Sequence, residues 1–281
     1  MNGIIVIDKE IGYSSNRVVV QIKKLFNEKK VGHLGTLDPL ASGVLPICLG
    51  KATRLFDYYL NKTKTYIAKF TFGKETDTLD SEGNVIKITG NIPSLDLIKE
   101  KVKLLTGKIE QIPPKYSAKS VNGIRAYNLA RKGIDFDLKP KQVEVIKFEV
   151  IKQVSNDTFE FMIDCSSGTY IRSLARDLGQ LCSSCAFMRE LKRIRSGEFE
   201  IKNAVKLENV KQSSVIPIEK LLNNIERIDV DARDYDKLKN GVKIFTENQD
   251  KSICTVYSKN ELFGIGEIKD NYIKIKTYLH N

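Results

Sequence analysis

Hydrophobic positions along this chain recur with two distinct periods, and the switches between them mark out its elements. Residues 3–7 form a continuous apolar run ending at Asp8 and Lys9, which reads as a short strand. Ser14 and Ser15 offer helix caps, and Val18, Val19, Ile22, Leu25 and Phe26 follow at helical spacing. A glycine-spaced loop over residues 32–43 then leads into a second apolar segment. Period two takes over at residues 65–72, where Tyr66, Ala68, Phe70 and Phe72 share one face of a strand. Residues 74–90, rich in Asp, Thr and Gly, read as a surface loop. Ser94 caps a helix carrying Leu95, Ile98, Val102 and Leu105, which ends at Gly107. Residues 143–154 and 158–165 predict a hairpin. After the turn Ser166-Ser167-Gly168, Tyr170 and Arg172 stand at the border between a strand and a helix marked by Leu174, Leu178 and Leu181. Short strands over 253–257, 262–268 and 272–278 predict a small β module, so the expected division is 1–226 and 227–281.

Composition narrows the partners. With 41% hydrophobic and 29% charged residues the chain is expected to fold nearly throughout. Lys and Arg total 46 against 35 acidic residues, a formal charge of +11 that attracts polyanions and speeds encounter with them. No apolar run is long enough to span a bilayer and the first residues lack a signal-peptide pattern, so a cytoplasmic protein is expected. Five cysteines, an odd count, favour reduced thiols; Cys182-Ser-Ser-Cys185 is read as buried thiols on a helix. The histidines, His33 and His280, lie far apart in sequence and no other Cys-x-x-Cys exists, so that pair finds no second close-spaced pair for a four-ligand zinc site, and no metal or cofactor is expected.

Residues 32–46 read GHLGTLDPLASGVLP, three glycines around a single carboxylate, Asp38. Pro39 holds Asp38 out of helical backbone, and Gly32, Gly35 and Gly43 let the chain turn sharply and let a ligand approach closely. By itself an Asp-Pro in such a loop is more often a plain turn. The whole stretch, however, resembles the catalytic motif of the TruB family of tRNA pseudouridine synthases, G-H-x-G-T-L-D-P-x-A-x-G-x-L-P, at every specified position. Further segments resemble that family in order along the chain. They are Gly3 through Lys9 with Gly12 and Ser14-Ser15; Thr63-Lys64-Thr65-Tyr66; Thr76, Asp77, Thr78 and Asp80 within residues 73–83; Pro113-Pro114-Lys115-Tyr116-Ser117-Ala118 with Asn122-Gly123, Arg125, Tyr127 and Arg131; CSSGTYIR at 165–172; and residues 191–199. Residues 262–268 resemble the family's small PUA-type RNA-binding module, and Glu10 departs from the family by standing where proline is usual.

The resemblance implies an α+β pseudouridine synthase fold: a mixed, largely antiparallel sheet flanked by helices and loops, with a small C-terminal β unit. It implies conversion of the T-loop uridine of tRNA, position 55, to pseudouridine by a stand-alone, monomeric enzyme. Asp38 is then the catalytic carboxylate, as nucleophile or as electrostatic partner, with Arg172 as its ion-pair partner. Tyr66 stacks on the flipped base and takes part in removing the C5 proton. Tyr170 lies in the pocket, Leu191 lines it, and His33 enters the T-loop; for Leu191, plain helix core is the competing reading. The matched positions Lys9, Gly35 and Thr36 are expected on the substrate side. The chemistry suits a chain without a cofactor, because uracil C5 is already a carbon nucleophile. The basic stretch Lys192, Arg193 and Arg195, with Arg189 one helical turn earlier, reads as a phosphate track or a solvated helix face. Two rivals stand beside this reading: a guide-RNA-dependent synthase of the same superfamily, and a non-catalytic tRNA-binding or folding protein.

Overall fold

The computed structural model describes residues 1–60, 62–121 and 123–280, so Asn122 of the quoted motif lies outside the described residues. The central sheet runs Ile216–Pro217, Gly3–Lys9, Ser42–Leu49, Ala186–Ser196, Lys64–Phe72, Thr158–Cys165, Lys141–Gln153, Gly107–Gln111, with short strands Val31–His33 and Phe199–Glu200 attached. Its ladders are antiparallel apart from one two-residue parallel join, Lys192 to Ser42 and Arg193 to Gly43. This is the mixed, largely antiparallel sheet anticipated above.

The apolar run at residues 3–7 is explained by its place inside the sheet. Ile5 and Ile7 pack with Val18, Val19 and Ile22 on one face, and Ile4 and Val6 pack with Val44, Cys48 and Leu55 on the other. A strand covered on both faces has no solvated side and so shows no alternation. The helix Ser15–Phe26 starts at Ser14, whose hydroxyl accepts from the Arg17 N–H, and stops at Asn27 in the left-handed conformation. Leu25, counted in its apolar stripe, is 57% exposed. Ser94 caps Leu95–Lys101 in the same way. The helix Ile171–Leu181 buries Leu174 and Leu178 against the same face of the sheet as Phe70 and Phe161.

A second, five-stranded sheet contains Arg227–Asp229, Lys251–Ser258, Glu261–Lys269, Tyr272–Tyr278 and Ile244–Phe245 around Val256, Phe263 and Ile273. Its Ile265 and Leu279 join the cluster of Ile4 and Val44, so it seats on the central sheet.

Two segments differ from expectation. Residues 74–90 are not a plain surface loop: Lys74–Thr76 and Val85–Ile88 pair, Thr76 at the end of the first is buried, and the connection after it turns inward and buries Asp80. Residues 186–196 form a strand, not a helix, so Arg189 is no helical turn from Arg193, and Leu191 belongs to a sheet. Its composition is poor for a strand, but pairing with Lys64–Phe72 along most of its length overrides propensity. Cys182 caps the end of the Ile171–Leu181 helix and Cys185 lies beyond it, both buried.

Candidate active site

The Asp38 loop is held by its own leucines. Leu34, Leu37, Leu40 and Ala41 are buried, while the Asp38 side chain remains 36% exposed. Ser15, at the start of its helix, accepts a hydrogen bond from the Leu37 N–H (2.8 Å) and donates to the Leu37 carbonyl (2.9 Å). Gly35 and Gly43 have φ of 110° and 97°, a region that glycine enters without a Cβ penalty. A Cβ on Gly43 would lie 2.2 Å from the Arg193 carbonyl oxygen, so glycine is also what lets the loop close onto its neighbour strand.

Asp38 forms an ion pair with Arg172 at 3.0 Å. Arg172 is the second residue of the Ile171–Leu181 helix and is buried, and its other nitrogen pairs with Asp80 at 3.1 Å. The same guanidinium donates to the carbonyls of Thr78 and Tyr116, both at 3.1 Å. Asp80 in turn accepts from the Thr78 hydroxyl (2.6 Å) and the Glu82 N–H (3.1 Å). A cation with two carboxylates and two carbonyls around it is fixed in direction as well as in charge. Leu79, next to Asp80, sits at φ 62° with its side chain buried, which for a bulky residue costs about 1–3 kcal/mol and is sustained by its surroundings.

A cleft of about 930 Å³ opens above this pair. Asp38, Tyr66, Arg172, His33, Tyr170, Leu191, Gly35 and Thr36 all line it. Tyr66 comes from the Lys64–Phe72 strand; burial pushes its phenol upward in pKa and the neighbouring Arg193 charge opposes this. Tyr170 precedes the Arg172 helix, and the Gln111 side chain fixes its backbone by accepting from its N–H (2.7 Å) and donating to its carbonyl (3.1 Å). His33 has its Nδ1 buried without a partner, and burial, then Arg193, lowers its pKa. Ser117 lines the cleft with its hydroxyl buried and unpartnered as well.

Lys9 is not in the cleft. Its ammonium lies behind the loop, donating to the carbonyls of Tyr13 (2.7 Å), Glu10 (2.9 Å) and Pro39 (3.4 Å), and burial brings its pKa down to about 8. The lysine therefore supports the loop from within. Arg193 is no phosphate track either: it is 1% exposed and bound to loop carbonyls. Arg195 pairs with Asp164 at 2.8 Å, which leaves Arg189 and Lys192 as the exposed members of that basic stretch. The sequence reading missed Asp80, because a T-D-T-x-D pattern in a polar run gives no sign that its last carboxylate turns inward. It also gave no role to Tyr127, Arg131 and Lys141 at the cleft rim.

Residues 23–171 match the profile of the TruB family pseudouridylate synthase N-terminal domain, and residues 172–228 that of the tRNA pseudouridylate synthase B C-terminal domain. The chain is 41% identical to the tRNA pseudouridine synthase B of Clostridium tetani, covering 99% of this chain and 100% of that relative. It is 38% identical to that of Borreliella burgdorferi, covering 98% and 99%. Among solved structures, an H/ACA RNP bound to a substrate RNA containing 2′-deoxyuridine gives a TM-score of 0.71 at 22% identity, over 99% of this chain and 85% of that one. A Cbf5-Nop10-Gar1 complex gives 0.71 at 24%, over 98% and 84%, and both likenesses concern the fold. With both profiles met and the identity sustained from end to end, the chain belongs to the TruB family of pseudouridylate synthases.

Proposed function

We propose that this protein is a tRNA pseudouridine synthase, an isomerase that converts the T-loop uridine at position 55, with Asp38 as its catalytic carboxylate. The observation that carries the reading is the Asp38–Arg172 pair at the floor of a cleft flanked by Tyr66 and Tyr170.

The reaction breaks the N1–C1′ bond, turns the uracil and joins C5 to C1′; N1 gains a proton and C5 loses one, so no co-reactant is consumed. The target base has to leave its stack, and the aromatic face of Tyr66 replaces part of the stacking lost. Asp38 then faces C1′, where a carboxylate attacks or stabilises developing positive charge. Arg172 supplies the countercharge that offsets desolvation once RNA closes the cleft. Leu191 and Tyr170 wall the base, and Tyr66, which burial keeps as the neutral phenol, takes the C5 proton as it gives up its own. His33, with a buried ring nitrogen that lacks a partner, suits insertion among unstacked nucleotides.

The two sheets support a division into a catalytic unit, 1–226, and an RNA-binding unit, 227–281, acting together as a monomer without a guide RNA. Among the described residues no helix is long and apolar enough to cross a membrane. Purified protein incubated with an unmodified tRNA transcript should place pseudouridine in the T-loop, mapped at single-nucleotide resolution, and Asp38→Ala should abolish it. A transcript left unchanged by wild-type protein, or modified only when a guide RNA is added, would overturn the proposal.

A further inference from the structure

Arg193 is the largest fully buried side chain of the molecule's described residues, and it carries a charge. Among the described residues no carboxylate pairs with it. Its Nε donates to the Val44 carbonyl at 2.7 Å, one terminal nitrogen to Gly35 at 3.0 Å and the other to Thr36 at 3.4 Å. Gly35 and Thr36 precede Asp38 and Val44 follows it, so one guanidinium ties the two limbs of the loop together.

The Arg193 backbone is equally well placed. It faces Gly43 in the sole parallel join of the central sheet's ladders among the described residues, and Tyr66 across the antiparallel ladder on its other side. Directly opposed residues project to the same face, and the Arg193 charge lies near enough to the Tyr66 phenol to oppose the upward push of burial on it. Isolated charges in protein interiors are costly, and an apolar residue would fill this space without that cost. Retaining a cation here points to the geometry of its five donors, which no other side chain reproduces.

We propose that Arg193 is a positioning residue for pseudouridine formation: its guanidinium clasps both limbs of the Asp38 loop to its own strand, whose ladder holds the strand bearing Tyr66, and so sets carboxylate and phenol at a working separation across the flipped base. This rests on reading the chain as a pseudouridine synthase. Arg193 touches no substrate in this scheme, so its removal acts on the chemical step and leaves RNA affinity alone.

The test is Arg193→Lys, which keeps the charge but has no fork to hold two limbs, together with Arg193→Ala supplemented with guanidinium ion. Wild-type turnover of a tRNA transcript is measured alongside, and its absence would sink the functional reading and not this inference. With wild type active, Arg193→Lys should lose about 100-fold in single-turnover rate at saturating tRNA, with the Kd for tRNA changed less than about twofold. Millimolar guanidinium should restore part of the Arg193→Ala rate while sodium chloride at equal ionic strength does not. A rate loss under about tenfold in Arg193→Lys, or one matched by weaker tRNA binding or by the unfolded fraction, overturns the proposal. Should Arg193→Ala fail to fold, the Arg193→Lys rate decides alone.

Discussion

The Arg172 guanidinium sits 3.0 Å from the half-exposed Asp38 carboxylate and 3.1 Å from the buried carboxylate of Asp80. The two acids share a cation yet occupy different surroundings, with side-chain exposures of 36% and 5%. That difference separates a group available for chemistry from one that holds the cation in place.

With Asp38 in its proposed catalytic role, Asp38→Asn should lower the single-turnover rate by about 10³-fold, because an amide neither attacks C1′ nor carries the opposing charge. Since Asp38 is partly solvated, losing its ion pair should cost about 1 kcal/mol of stability or less. Urea denaturation alongside the rate assay checks both, and a large stability loss would recast Asp38 as structural.

Asp80→Ala should destabilise the fold by about 3 kcal/mol, since it leaves a buried guanidinium short of a partner. It should exceed Asp38→Ala in denaturation midpoint shift while falling behind it in rate loss. A reversed order in either measurement would contradict the roles drawn from burial.

Lys9 gives a pH signature. Its pKa falls from 10.5 to about 8 in the folded chain, chiefly through burial. Between those values the unfolded chain holds the proton and the folded chain does not, so this group's contribution to stability rises with pH across that window and is flat below it. Compared with Lys9→Met, the wild type should gain stability from pH 8 to pH 10.5, read from urea midpoints at several pH values. A constant difference between the two proteins would mean that the ammonium titrates normally.

Gly43→Ala should be disabling although alanine adds one methyl. The Cβ would fall 2.2 Å from the Arg193 carbonyl oxygen at a φ of 97°, so strand and loop must separate. A loss of about 2 kcal/mol or more in stability, with most of the activity gone, is expected. Wild-type behaviour would show the join to be slack.

Much of this site was legible because its signals are local. Asp38 stands out within a run of fifteen residues, 32–46, and Tyr66 in a strand whose alternation is plain. Arg172 was placed at a strand-to-helix border by the turn before it and the leucines after it. What stayed hidden depends on partners far along the chain. Asp80 looks like loop polarity until Arg172, 92 residues later, folds against it. Arg193 sits among other basic residues, where solvation is the default, and only its pairing with Gly43 and Tyr66 turns it inward. Strand assignment at 186–196 failed for the same reason, since long-range pairing rather than propensity makes that strand.

The clasp on the loop also has a bearing on synthesis. Arg193 and Val44 are separated by 149 residues, so at ordinary translation speeds of about 5–20 residues per second the carboxylate segment leaves the ribosome roughly 8–30 seconds before its anchor is made. During that interval the nascent chain displays its acid on an unsecured loop. The clasp therefore cannot close until residues 186–196 have been made and have taken their place between Ser42–Leu49 and Lys64–Phe72.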